Sequence, residues 1–271
     1  MPTNVIRRIL TGAALIVATA IMVSLGEASV IFLLFFIGVL IQYELSTMLL
    51  PNNRKAGVLC IVFGQILFSI LLLFTKGWCW LNMWIFLSAL GILTIPTSWK
   101  RSQSEQPWLL AALLLYTSNG LACLYWLYST CTAWLALVLI ATWSSDTLAY
   151  TYGRLAGHRP LCPAISKSKT WEGLWAGVCG ALALPTMAWL FAKYMTWPAW
   201  QGITISDMLC VSVICAMIAP VGDLCESKLK RIVQVKDSSQ ILPGHGGMLD
   251  RTDGLLPCAM VVWTWLCYMG K

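Results

Sequence analysis

Long apolar runs separated by short polar ones organise this chain. About nine of them have the 17–25 residue length of a helix that crosses a bilayer. They lie near 8–25, 29–50, 57–75, 79–97, 108–128, 132–153, 172–193, 204–224 and 253–269. The pattern predicts an all-α polytopic integral membrane protein with a polar cavity facing the cytoplasm. No polar linker is long enough to set off a soluble module, so 1–271 is expected to form one membrane domain. Within it, 1–130 reads as scaffold and lipid-facing spans, and 131–271 as the spans and cytoplasmic loops that carry chemistry. Arg7 and Arg8 precede the first run as in a signal peptide. A second apolar run follows almost at once and the cleavage signal is poor, so a retained anchor is expected.

Composition agrees with the pattern. The chain is 59% hydrophobic with mean hydropathy +0.76, which excludes a water-soluble domain. A net charge of +7 could point to nucleic acid, but its distribution points elsewhere. With the N-terminus in the cytoplasm and sides alternating, all of the 18 Lys and Arg except Lys76, Lys193 and Lys271 fall on the cytoplasmic side. The charge therefore sets orientation and calls for no nucleic acid; the C-terminus is expected on the opposite side. Eleven cysteines without a CxxC pair, scattered through apolar spans, argue against zinc and against a disulfide framework. Tryptophans near span ends, such as Trp78, Trp99 and Trp197, fit interfacial belts.

Against this background the run from Gly222 to Asp253 stands out. Charged residues make up 11% of the chain, yet this run gathers Asp223, Glu226, Asp237, Asp250 and Asp253 with Lys228, Lys230, Arg231, Lys236 and Arg251. Stray charge near the bilayer is costly, so the concentration implies a task rather than an ordinary solvated loop. A helix continuing past Pro220 puts Asp223, Glu226, Ser227 and Lys230 on one face, at i, i+3, i+4 and i+7. Asp250 and Asp253 lie one turn apart at the start of the last span. Between Lys230 and Asp250, His245 sits in a Gly-rich loop with Gly246 and Gly247, where backbone can approach a ligand closely. Carboxylates from two helices, a glycine loop and several lysines suit nucleotide phosphates bound with Mg²⁺.

The order of these residues resembles the motif of the phosphatidate cytidylyltransferase (CDP-diacylglycerol synthase) family. The matching positions are Ser227, Leu229, Lys230, Arg231, Lys236, Asp237, Leu242, Pro243, His245, Gly246, Gly247, Asp250, Arg251 and Asp253. A pattern this long is far more specific than a lone glycine motif. The resemblance covers roughly the C-terminal half by motif. It implies transfer of the cytidylyl group of CTP to phosphatidate, yielding CDP-diacylglycerol and pyrophosphate for phospholipid biosynthesis. It further implies a bacterial plasma (inner) membrane, surrounding membrane lipids, Mg²⁺ with a second cation that is either Mg²⁺ or monovalent, and a homodimer as one allowed state.

By the same resemblance Asp223 and Asp250 are the expected metal ligands, and the residue reading agrees because they come from different spans flanking one loop. Asp146, Asp253 and Glu226 join the candidate metal set. Lys230, Asp237 and His245 complete the candidate catalytic set; for His245 a general base and a phosphate hydrogen bond both remain open. Arg231, Lys236, Arg251, Ser227, Gly246 and Gly247 are candidates for substrate binding.

Two further stretches carry signals. In ATWSSDTLAYTYGRLAG, Asp146, Tyr150, Gly153 and Gly157 fall at i, i+4, i+7 and i+11. An acid at that depth faces a cavity, a cation or a partner, and Tyr150 joins the candidate substrate contacts. The two glycines form GxxxG, read as close helix packing. The Asp-x-x-Ala-Tyr pattern also resembles the family, with Leu148 where a small residue is expected. Farther on, Lys167 and Lys169 open the seventh span, where cationic side chains and free N–H groups favour phosphate, although orientation alone also calls for lysines there. The family has a Pro-Lys pair at Lys167 and Ser168, so Lys169 is the firmer phosphate contact of the two. Glu44, near the cytoplasmic end of the second span, reads as snorkelling to the interface rather than as a site residue. His158 has no assigned role.

Two other functions remain in view. A CTP-dependent polyprenol or phytol kinase would share the nucleotide but lacks the full motif. An ion-coupled transporter predicts acids spread across the bilayer and an internal repeat, neither of which the chain has.

Overall fold

A computed structural model describes residues 2–51, 53–74, 79–94, 107–235, 237–239, 241 and 246–271. The chain is mostly helical: α1 (Pro2–Ser24), α2 (Glu27–Leu49), α3 (Arg54–Phe74), α4 (Cys79–Leu90, followed by a 3-10 turn, Gly91–Thr94), α5 (Pro107–Thr130), α6 (Thr132–Ala156), α7 (Trp171–Tyr194), α8 (Pro198–Gln201), α9 (Ile205–Ile232), α10 (Leu249–Thr252) and α11 (Leu255–Tyr268). Among the described residues six helices, α2, α3, α5, α6, α7 and α9, are long and apolar enough to cross a membrane. The chain is an integral membrane protein. The described helices within the runs near 8–25, 79–97 and 253–269 are shorter: an apolar stretch Gly12–Ser24 in α1, 12 residues in α4 and 14 in α11.

The expectation of a purely helical chain needs one amendment. Strands β1 (Pro160–Cys162) and β2 (Ser166–Thr170) form an antiparallel hairpin between α6 and α7. Glu172 pins it by accepting the backbone N–H groups of His158 and Arg159, both at 3.2 Å. Alternating Ser and Lys in β2 gave no apolar periodicity to announce a strand.

Small residues set the tightest pairing. Gly173, Gly177 and Gly180 of α7 lie against Gly153, Ala149, Ser145 and Ser144 of α6, so the two backbones run in near contact. Gly153 thus packs as its spacing predicted. Helix α9 lies against both α6 and α7 and against α11, while α5 joins α2, α3 and α11. The cores of α5 and α11 meet where Leu256 and Met260 cover Gly120. Polar pairs fasten the apolar halves as well: Gln65 of α3 donates to Gln42 of α2 at 3.0 Å in a fully buried setting.

The long helices start on sound caps. Thr170 accepts the Gly173 N–H at 3.1 Å at the head of α7. Thr204 and Asp207 form a reciprocal capping box on α9, at 3.2 and 3.0 Å, and Lys271 pairs with Asp207. Such caps contribute about 1 kcal/mol each. At the far end of α9, Lys230 and Arg231 occupy the last turn, where the helix dipole favours cations. This end carries the site.

Candidate active site

Helix α9 continues through Pro220 to Ile232, so Asp223, Glu226, Ser227 and Lys230 share a face as their spacing predicted. Ser227 Oγ donates to Asp223 at 3.4 Å, and Lys230 Nζ stands 3.3 Å from Glu226. Gly222 decides what faces them. A Cβ there would meet the Asp253 carbonyl oxygen at 2.2 Å and the Pro257 ring at 2.7 Å. Only glycine lets α9 pass so near the α10–α11 junction, and the approach brings Asp253 beside Asp223 and Glu226. One carboxylate oxygen from each of the three lies within 4.8 Å of the others.

Three acids so close oppose one another. At that separation two full charges repel by about 3 kcal/mol at an effective dielectric near 20. Glu226 is buried, and its Oε1 has no hydrogen bond, although the Lys230 ammonium stands near it. An all-oxygen, net-anionic donor set with an under-satisfied buried oxygen fits a hard divalent cation such as Mg²⁺.

Cationic groups surround the cluster. Strand β2 carries Lys169 to within 2.5 Å of Asp223 Oδ2. Arg231 Nε reaches the Ile165 carbonyl at 3.5 Å, tying the end of α9 to the hairpin turn. Arg251, on α10, is exposed. Asp146 is exposed on α6 and feels the charges of Asp223, Lys169 and Arg251, so it borders the same polar region. One turn on, the exposed Tyr150 hydroxyl accepts from Arg154 at 3.0 Å.

Asp250 lies beside Glu226 but outside the set of three. Lys230 holds its Oδ1 at 2.7 Å, while Oδ2 accepts the N–H groups of Gly247 at 2.8 Å and Ser238 at 3.2 Å. Burial alone would raise its pKa. The hydrogen bonds shared with Glu226, Gly247 and Lys230 outweigh burial and hold the carboxyl well below the usual carboxylate range. Gly246 has φ +79°, and Gly247 leaves no space for a Cβ, which would lie 1.9 Å from Ser238 Oγ and 2.6 Å from Glu44. Both glycines therefore serve the fold of the loop itself.

Glu44 corrects the sequence reading. It is fully buried and does not snorkel. Its carboxylate accepts Met248 N–H at 2.7 Å, Leu249 N–H at 2.8 Å, Ser239 Oγ at 2.7 Å and Ser238 Oγ at 3.1 Å. No local pattern marks it, because all four partners lie about two hundred positions away. Among the other expected residues, Asp237 is exposed, Lys236 and His245 lie outside the described residues, and so does the side chain of Lys167.

Residues 6–269 match the model of the cytidylyltransferase family. The chain belongs to this family. Among curated relatives, the phosphatidate cytidylyltransferase of Mycobacterium leprae is 40% identical over 159 residues, 58% of this chain and 44% of the relative. That of Staphylococcus saprophyticus is 36% identical over 143 residues, 53% of this chain and 52% of the relative. The Haemophilus influenzae enzyme is 42% identical over 121 residues, 45% and 41% of the two chains. The chain spans about half the length of the curated relatives it matches. In this cytidylyltransferase-family chain, the carboxylates, Lys169 and Lys230 occupy the stretch where family resemblance and local geometry coincide.

Proposed function

We propose that this protein is a phosphatidate cytidylyltransferase, transferring the cytidylyl group of CTP to phosphatidate. The observation that carries the reading is the Asp223–Glu226–Asp253 cluster, bordered by Lys169 and Lys230 in a chain of the cytidylyltransferase family. A phosphatidate oxygen attacks the α-phosphorus of CTP. The bond from that phosphorus to the oxygen bridging the α and β phosphates breaks, and pyrophosphate leaves with its electron pair. The nucleophile is already ionised, so no general base is required, and positioning with charge neutralisation supplies most of the acceleration. Asp223, Glu226 and Asp253 would hold Mg²⁺, which when bound neutralises phosphate oxygens. Lys169, Lys230, Arg231 and Arg251 neutralise the two meeting anions; Lys236 and His245 are further candidates from the motif, and Lys167 is one from the basic stretch before α7.

The same reading places about nine spans in a bacterial plasma membrane, with the N-terminus and site on the cytoplasmic side and the C-terminus opposite. The asymmetric distribution of Lys and Arg supports this orientation. The polar cluster would then open to cytoplasmic CTP and to the lipid headgroup region, within one copy or a homodimer.

Label transfer tests the reaction. In detergent micelles with Mg²⁺ and phosphatidate, label from the α phosphate of CTP is expected in the lipid fraction, with release of pyrophosphate. Label from the γ phosphate entering an added polyprenol or phytol would instead make the chain a kinase. No transfer of either label by folded protein would overturn the enzyme reading.

A further inference from the structure

Glu44 belongs to α2, far in sequence from the acids of the site, and is buried at the end of a membrane helix. A buried carboxylate is costly unless every lone pair is used. Here the four donors come as two adjacent pairs, the hydroxyls of Ser238 and Ser239 and the N–H groups of Met248 and Leu249. These pairs sit at the two feet of the segment that runs from the end of α9 into α10. One side chain thus closes both ends of the loop on a single point.

The contacts lead onward to the acids. Ser238 also meets Asp250 Oδ2 through its N–H at 3.2 Å and its hydroxyl at 3.1 Å. One hydroxyl proton cannot serve Glu44 and Asp250 together; the backbone N–H already serves Asp250 and frees the hydroxyl for Glu44. Asp250 grips Lys230, and Lys230 faces Glu226. An unbroken line of polar contacts therefore joins Glu44 to the three-acid cluster. Gly247 threads between Glu44 and Ser238 where no Cβ fits, so Gly247 itself has little freedom to settle elsewhere.

We infer that Glu44 is a positioning residue for cytidylyl transfer: it clamps Ser238, Ser239, Met248 and Leu249 onto α2 and thereby sets where Asp250, Lys230 and the cluster stand. The inference rests on the reaction proposed above. Glutamine at this position would offer one acceptor oxygen and turn an NH₂ group toward donors, breaking the clamp at constant size.

The test uses the full chain in micelles. Glu44→Gln is expected to lower kcat about 100-fold, the scale of a misplaced reacting group. It should also raise the Mg²⁺ concentration giving half-maximal rate, which a smaller folded fraction alone would not change. Glu44→Asp, which keeps both acceptor oxygens, should recover part of the loss. Hydrogen exchange of the 246–250 amides in metal-free protein provides a readout independent of turnover; it should accelerate in Glu44→Gln while α6 and α9 stay protected. If Glu44→Gln does not fold, Ser239→Ala removes one donor and should accelerate the same amides. Unchanged exchange, or an unchanged rate and Mg²⁺ requirement, would overturn the clamp and leave the reaction standing. An inactive wild-type chain would overturn the reaction, and with it Glu44's part in catalysis, while exchange alone would decide whether Glu44 anchors the loop.

Discussion

Gly222 of α9 lies so near Asp253 that a Cβ on it would stand 2.2 Å from the Asp253 carbonyl oxygen. The obstacle is backbone, which cannot swing aside as a flexible side chain can. Gly222→Ala must therefore push α9 from the α10–α11 junction, separating Asp253 from Asp223 and Glu226. Overpacking of this kind costs about 1–3 kcal/mol. Activity should fall at least about 100-fold, while the protein still inserts and elutes as a monodisperse peak. Retention of normal activity would mean that this approach is not needed.

Asp253→Asn and Asp250→Asn should move stability in opposite directions. Asp253 sits among like charges, so its neutralisation relieves repulsion and should leave the metal-free protein as stable as wild type or more so. Asp250 is held by Lys230 and two backbone N–H groups, and its neutralisation weakens a partly buried ion pair. A loss of about 1–3 kcal/mol is expected. Both variants should lose activity. Thermal unfolding in micelles without divalent cations separates them.

Lys169→Ala removes the ammonium that lies 2.5 Å from Asp223. Asp223 keeps access to solvent, so stability should change by less than about 1 kcal/mol. The anionic substrates should feel the loss more, with KM for CTP rising roughly tenfold or more, the scale of a charge-assisted hydrogen bond. Steady-state kinetics at saturating phosphatidate checks this; an unchanged KM and kcat would place Lys169 outside the phosphate path.

Mg²⁺ should stabilise the folded wild type, because a ligand that binds only the native state adds RT ln(1 + [L]/Kd). At about 100 Kd that is roughly 2.7 kcal/mol. The increment should fall to about 1.4 kcal/mol or less in Asp253→Asn and vanish in EDTA. An equal increment in wild type and Asp253→Asn would place the cation elsewhere.

The helical character of the chain was legible because apolar runs and helical spacing are local properties. So was the shared face of Asp223, Glu226, Ser227 and Lys230, which needs only continuity through Pro220. The partners across the site were not legible. Asp250 and Asp253 lie one turn apart in sequence, yet the Gly222 contact draws one into the acid cluster while Lys230 and the N–H groups of Ser238 and Gly247 hold the other. Glu44 was hidden for the same reason: its environment is built by residues two hundred positions on, and an isolated acid near a span end gives no local sign of burial. The hairpin was missed because β2, five residues of Ser, Lys and Thr, has no apolar face to read.

Binding of Mn²⁺, as a spectroscopic stand-in for Mg²⁺, tests the cluster most directly. Electron paramagnetic resonance of the full chain in micelles should show bound Mn²⁺ in the wild type. Affinity should fall at least about tenfold, some 1.4 kcal/mol, in Asp253→Asn and Glu226→Gln alike. Unchanged Mn²⁺ affinity in both variants would contradict the assignment of Asp223, Glu226 and Asp253 as the cation site.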